Sequence, residues 1–136
     1  MANDIALSEP DKRTLQVAAY GAITLLSAAG AAGGSPHRIA ADGSIALGAA
    51  TGMVGHVLAG CPRGTAVTGK SVAEVADSVL PALTAAITLL KKQVPEEADN
   101  FRGTVLTAIR SASRQSRPSP VVADMIQKIT EALDAA

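Results

Sequence analysis

The residues whose spacing is most specific for chemistry run from Gly64 to Ser71 and read GTAVTGKS. Two glycines with four residues between them, followed by Lys70 and Ser71, match the P-loop pattern. In that motif backbone amides cradle phosphates, the lysine reaches the terminal phosphates and the serine hydroxyl binds magnesium. Gly64, Gly69, Lys70 and Ser71 are therefore candidate anion-binding residues.

The sequence around this string differs from that of a nucleotide-hydrolysing P-loop. The motif follows a buried parallel strand, but only residues 57–59 are strand-like here, and Cys61, Pro62 and Arg63 intervene before Gly64. Ser71 and Glu74 also form the S-x-x-E pattern of a helical capping box, which explains the serine without any ligand. Phosphate or nucleotide binding at this loop is therefore the alternative hypothesis and not the favoured one.

A basic helix face is the second candidate anion site. Arg110, Arg114 and Arg117 fall at i, i+4 and i+7, Arg102 lies two turns earlier, and no acidic residue occurs between positions 100 and 123. The guanidinium fork suits a phosphate or the carboxylates of an acidic partner. Cations near a helix C-terminus are also stabilised by the helix dipole alone. The pattern is therefore compatible with a binding face or with a merely solvated one.

Metal and catalytic patterns are weak. His37, His56 and Cys61 share no recognised zinc spacing, and no serine lies in a strand-turn-helix nucleophile signature. We therefore predict no catalytic residues, no metal site and no cofactor, and we do not expect an enzyme. Because Cys61 is the only cysteine, it forms no intramolecular disulfide, which favours a reducing compartment such as the cytoplasm.

Small aliphatic side chains must build the elements that position these residues. The chain has 136 residues with one Phe, one Tyr and no Trp, which predicts a single domain over residues 1–136 with an aliphatic core. Twelve basic and twelve acidic residues leave no net charge to attract a polyanion. Two aromatic residues cannot form a base-stacking platform. We therefore expect no nucleic-acid partner.

Helical periodicity is clearest in the second half. One helix is predicted over 71–94, with a kink or a break near Val79 caused by Pro81. A second runs from Pro95 to about Ser116, and a third begins at Pro120 after a Ser119 cap. The predicted buried positions recur every three or four residues: Val72, Val75, Val79, Leu83, Ile87 and Leu90, then Phe101, Val105, Ala108, Ile109 and Ala112, then Val122, Met125, Ile129 and Leu133.

The first helix is predicted from about Glu9, after a Ser8 cap, to about Ala32. Its segment from Leu15 to Ala32 has no charge and is 18 residues long, the lower limit for a bilayer span. Much of its apolar character comes from alanine, which contributes little to membrane transfer. We therefore expect a helix buried in a bundle or in a homo-oligomer, and no membrane partner.

The region from Arg38 to Gly60 is apolar but rich in glycine. Each interior glycine lowers helix stability by about 1 kcal/mol relative to alanine, so packing must compensate if this region is helical. Gly48 and Gly52 lie four residues apart and would form a flat strip against which the alanine-rich first helix could pack closely. Strands are disfavoured, because alternation is absent.

Four segments together resemble the tellurite-resistance TerB-like helical domains: TLQVAAYGAITLLSAAG, the later Ala41-Asp42-Gly43, the acidic helix start PEEADNFRGTVLTAI, and the terminal SPVVADMIQKITEAL. In that family acidic residues near the Asp-Gly turn are associated with divalent metal binding. Only Asp42 and Gly43 match here, and residues 44–73 contain no carboxylate. The resemblance therefore implies an all-helical interaction domain that lacks the metal site.

The sequence as a whole predicts an all-α, single-domain bundle of about five helices, non-catalytic, acting through self-association or partner binding. A homodimer is expected, because the first helix has more apolar surface than a small bundle easily covers. An acidic protein or a phosphate-bearing partner is the other possibility, through the basic face or the Gly64–Ser71 loop.

Overall fold

The computed structural model describes residues 8–30, 45–47, 52–59, 71–114 and 120–135. These ranges contain five α-helices and no strand, so the predicted all-α fold is confirmed. Residues 45–47 are helical as well. The five helices are α1 (Glu9–Gly30), α2 (Gly52–Ala59), α3 (Val72–Gln93), α4 (Pro95–Ser113) and α5 (Pro120–Asp134).

Helix α1 is the centre of the bundle. It contacts each of the other four helices, and 11 of its 22 residues are buried. The apolar surface that suggested a dimer interface is therefore largely covered within one copy of the chain. The homodimer stays a prediction, but α1 no longer supplies the reason for it.

Hydrogen bonds between helices fix their directions. Gln93 Nε2 at the end of α3 donates to Asp11 Oδ2 at the start of α1 at 2.9 Å, so α1 and α3 are antiparallel. Thr84 Oγ1 in the middle of α3 donates to the Ala132 carbonyl near the end of α5 at 2.7 Å. Only Val94 separates α3 from α4: its N–H bonds the Leu90 carbonyl at 2.7 Å, and its own carbonyl accepts from Glu97 N at 2.9 Å.

The three later helices bury the faces that their periodicity predicts. Every predicted core position in α3, α4 and α5 is buried except Val72, which is partly buried against the core. Helix α3 continues through Pro81 without a break. Pro81 and Asp77, whose carbonyl the proline leaves without its helical donor, both lie on the exposed side of the helix.

Two of the predicted N-caps are confirmed. Ser8 Oγ accepts from Asp11 N at 3.2 Å, and Ser71 Oγ accepts from Glu74 N at 3.2 Å. Helix α4 ends at Ser113, a few residues before the predicted end. The predicted end of the first helix and the predicted Ser119 cap lie outside the described residues.

The role predicted for Gly52 is wrong. Gly52 is the first residue of α2, with φ +75°, a conformation that suits glycine and not a helix interior. A Cβ there would lie 3.1 Å from Asn100 Nδ2 and 3.3 Å from Glu97 Oε1, so Gly52 approaches α4 and not α1. The buried glycine of α2 is Gly55, and Gly48 lies outside the described residues.

Helix α3 is long and apolar enough to cross a membrane by length and composition, since its best 18-residue window has a mean hydropathy of 1.5. In the bundle it contacts α1, α4 and α5. Its exposed positions include Glu74, Asp77, Lys91 and Lys92. Among the described helices it alone meets this criterion.

Candidate functional site

The P-loop-like string is described only at its last residue. Ser71 is the N-cap of α3, with extended backbone angles, and its hydroxyl accepts the hydrogen bond from Glu74 N. The hydroxyl that would bind magnesium in a P-loop therefore caps a helix here. Gly64, Gly69 and Lys70 lie outside the described residues.

The candidate site that lies wholly within the described residues is one exposed stripe of α4, which we call the outer face of α4. Its positions recur every three or four residues, as one side of a helix requires. All of its members are exposed: Glu96, Asp99, Gly103, Thr107, Arg110 and Arg114.

The opposite side of α4 holds this face in place. Phe101, Val105 and Ile109 are completely buried in the core. Because these anchors fill the interior along the helix, α4 cannot rotate to hide its outer face without exposing them. The outer face is therefore a fixed surface of the bundle.

Charge is sorted by sign along the outer face. The carboxylates Glu96 and Asp99 lie near the start of the helix, and the guanidinium groups of Arg110 and Arg114 lie at its end. This order is favourable with the helix dipole, which is positive at the N-terminus and negative at the C-terminus. The helix thus presents an acidic half and a basic half on one side.

Glu96, Arg110 and Arg114 have no charged partner among the described residues, whereas Asp99 lies close enough to Arg102 for their charges to interact. Within the described ranges, none of the four side chains forms a hydrogen bond or an ion pair. Arg110 and Arg114 lie on one stripe, as their spacing predicts, whereas Arg117 lies outside the described residues. Glu96, Arg110 and Arg114 are thus the charged groups of this face that remain unpaired within the described ranges.

Arg102 does not belong to this basic face. Its Nε donates to Asp134 Oδ1 of α5 at 2.7 Å, with both side chains about half exposed. The hydrogen bond from Arg102 lowers the pKa of the Asp134 carboxyl below its ordinary value; desolvation opposes this shift, and the charges of Arg102 and Lys91 add to it. Its partner, 32 residues away, turns Arg102 toward α5, so its predicted grouping with the other arginines is wrong.

A shallow cavity of about 260 Å³ lies beside this ion pair, where α3, α4 and α5 meet. Two cations and two carboxylates line it, so its charges compensate each other. No group of three potential metal-ligating side chains occurs in the part of the chain that the structure describes. The lining residues are Ile87, Lys91, Ala98, Asp99, Arg102, Leu133 and Asp134.

Two polar residues of α1 have a structural role that sequence reasoning missed. Gln16 Nε2 donates to the Val57 carbonyl at 3.1 Å, and Tyr20 Oη donates to the Leu58 carbonyl at 3.2 Å. Both carbonyls belong to the last turn of α2, where a helix lacks its own donors. The sequence feature that could have indicated this role is a glutamine and a tyrosine four residues apart in the uncharged part of the helix.

No family model matches the chain, and searches of curated proteins and of solved structures found no similar protein. The resemblance to TerB-like domains therefore rests on the sequence segments quoted above, and its Asp42 and Gly43 lie outside the described residues.

Proposed function

We propose that this chain is a non-catalytic helical module that acts by binding protein through the outer face of α4. One observation carries the proposal: charges sorted by sign along a single exposed stripe form no hydrogen bond or ion pair among the described residues. A surface of this kind supports recognition, because complementary charges speed encounter and fix the orientation of two partners.

The position of the face also supports binding. Its helix is anchored by buried aromatic and aliphatic side chains on the opposite side, so the backbone under the charges is already ordered before a partner arrives. Binding to a preorganised surface loses less conformational entropy than binding that must order it. The face can therefore take a partner without a change of fold.

Charge rather than apolar area distinguishes this surface. Two large hydrophobic side chains are exposed in the described ranges, Ile45 and Val121, and they lie on different elements. Single exposed hydrophobic residues are normal for a protein surface. They do not suggest an apolar docking patch.

Site-specific photo-crosslinking in cells that express the chain tests the proposal. A photoreactive amino acid at Thr107, in the centre of the outer face, should form an adduct with a protein. The matched control places the same amino acid at Ala85, an exposed position on α3, and should form no such adduct. Equal adducts at both positions, or none at Thr107, would contradict the proposal.

A further inference from the structure

We infer that the partner of the outer face of α4 is a second copy of this chain, with the two α4 helices packed antiparallel across a two-fold axis. The inference rests on the proposed function, since it names the partner of the same face.

The charges of the face are self-complementary in this arrangement. Glu96 and Arg114 are equally distant from position 105, and Asp99 and Arg110 are centred within half a residue of it. A two-fold axis at position 105 therefore brings Glu96 opposite Arg114 of the second copy and Asp99 opposite Arg110. Since an α-helix rises 1.5 Å per residue, the acidic and basic pairs are about 22 Å apart on each helix.

The centre of the face permits close approach. Gly103 and Thr107 are also symmetric about position 105, so each would lie opposite the other across the axis. A Cβ added at Gly103 would meet no atom within 4 Å, so packing within one copy gives no reason for a glycine in this helix interior. Small residues four apart allow two helix backbones to approach, and a second copy supplies that reason.

A parallel pairing of the same faces would place carboxylates against carboxylates and arginines against arginines. Like charges at such positions are destabilising. The charge order therefore selects the antiparallel arrangement, which is the isologous interface of a two-fold dimer.

We expect a weak, salt-sensitive dimer. Exposed ion pairs contribute little each and are screened by salt, and one pair of helix faces is smaller than a standard stable interface. Sedimentation equilibrium should give a dissociation constant on the order of 100 μM in low salt, weakened about tenfold in 0.5 M NaCl.

Charge reversal tests the complementarity. Arg110→Glu with Arg114→Glu makes the face wholly acidic, and Glu96→Arg with Asp99→Arg makes it wholly basic. Each double variant alone should sediment as a monomer, whereas an equimolar mixture of the two should form a heterodimer. The matched control, Arg13→Glu with Lys92→Glu, reverses two exposed charges elsewhere and should dimerise like the wild-type chain; circular dichroism checks that every variant remains helical.

Disulfide trapping tests the register. In a Cys61→Ser background, copies with Gly103→Cys and copies with Thr107→Cys are mixed and oxidised. Antiparallel pairing at position 105 predicts the mixed 103–107 disulfide, whereas parallel pairing predicts 103–103 and 107–107.

The outcomes separate this inference from the proposed function. The inference of a second copy is overturned if the wild-type chain stays monomeric at 0.5 mM, on the order of five times the expected dissociation constant. It is also overturned if the mixture of charge-reversed variants fails to associate, or if the 103–103 and 107–107 disulfides predominate. If the photo-crosslink at Thr107 then identifies a different protein, the proposed function stands and only its partner changes. If Thr107 forms no protein adduct in cells while the purified chain dimerises as described, the pairing stands as a property of the purified chain, and the proposal that the chain acts in cells through this face fails.

Discussion

The two sides of α4 differ in burial and in charge. The inner side is completely buried at Phe101, Val105 and Ile109, and its contacts stabilise the fold. The outer side carries charges that make no hydrogen bond or ion pair within the described ranges. Arg102 lies between the two and is held by Asp134. Within α4, Arg102 is paired because α5 reaches it, whereas Arg110 and Arg114 are unpaired within the described ranges.

The strongest test of this contrast removes an anchor from the inner side. Phe101→Ala should lower the free energy of unfolding by about 3–5 kcal/mol, because it removes buried apolar contacts and leaves a cavity. The measurement is urea denaturation followed by circular dichroism. Thr107→Ala on the outer side is the matched control and should change stability by less than about 0.5 kcal/mol. Equal losses from the two variants would break the contrast.

A second test asks whether a polar residue outside α4 is structural or binds a ligand. Ser71→Ala should lower the free energy of unfolding by about 1 kcal/mol, since Glu74 N loses its cap acceptor. We expect no rise in melting temperature with millimolar ATP and magnesium. A rise that is lost in Lys70→Ala would instead support phosphate binding at the Gly64–Ser71 loop.

A third test separates stability from association at one residue of the outer face. Gly103→Ala should raise the free energy of unfolding of the monomer by about 0.5–1 kcal/mol, because alanine favours the helix and its Cβ meets open space. Gly103→Gln should hold two helices apart and weaken dimerisation in sedimentation while it leaves the monomer folded. If Gly103→Gln leaves dimerisation unchanged, Gly103 does not lie at the contact between the two helices.

The smallest expected effect concerns the ion pair between Arg102 and Asp134, at the edge of the outer face. The folded state lowers the pKa of Asp134, so the pair stabilises the fold above the ordinary carboxyl pKa and loses this effect as the pH falls through the lowered value. Wild type should therefore be more stable than Asp134→Asn at pH 7, and the difference should shrink below about pH 4 and vanish only below the lowered pKa. Denaturation curves at several pH values measure it; a difference that persists in acid would exclude the charge as its origin.

Local pattern was sufficient to predict the second half of the fold. Side-chain spacing alone predicted the buried faces of α3, α4 and α5, and Ser8 and Ser71 were predicted as caps, because these features depend on residues within one or two turns. The outer face follows from the same spacing, since positions three or four residues apart must share a side of the helix.

Contacts between distant residues could not be predicted in this way. Arg102 had the spacing of its neighbours, but its partner Asp134 lies 32 residues later. Gln16 bonds a carbonyl 41 residues away, and nothing in the local sequence indicates which helix end needs a donor. Gly52 had the spacing of a packing strip, yet it is the first residue of α2 and has a positive φ, which spacing alone does not indicate.

The single residue between α3 and α4 fixes the rotation of α4 relative to α3. Val94 both completes the last turn of one helix and accepts the first hydrogen bond of the next. One extra residue at this corner would turn every side chain of α4 by about 100° around the helix axis, so that charged groups would be directed into the interior. The one-residue length of this connection therefore determines which side of α4 is exposed to water.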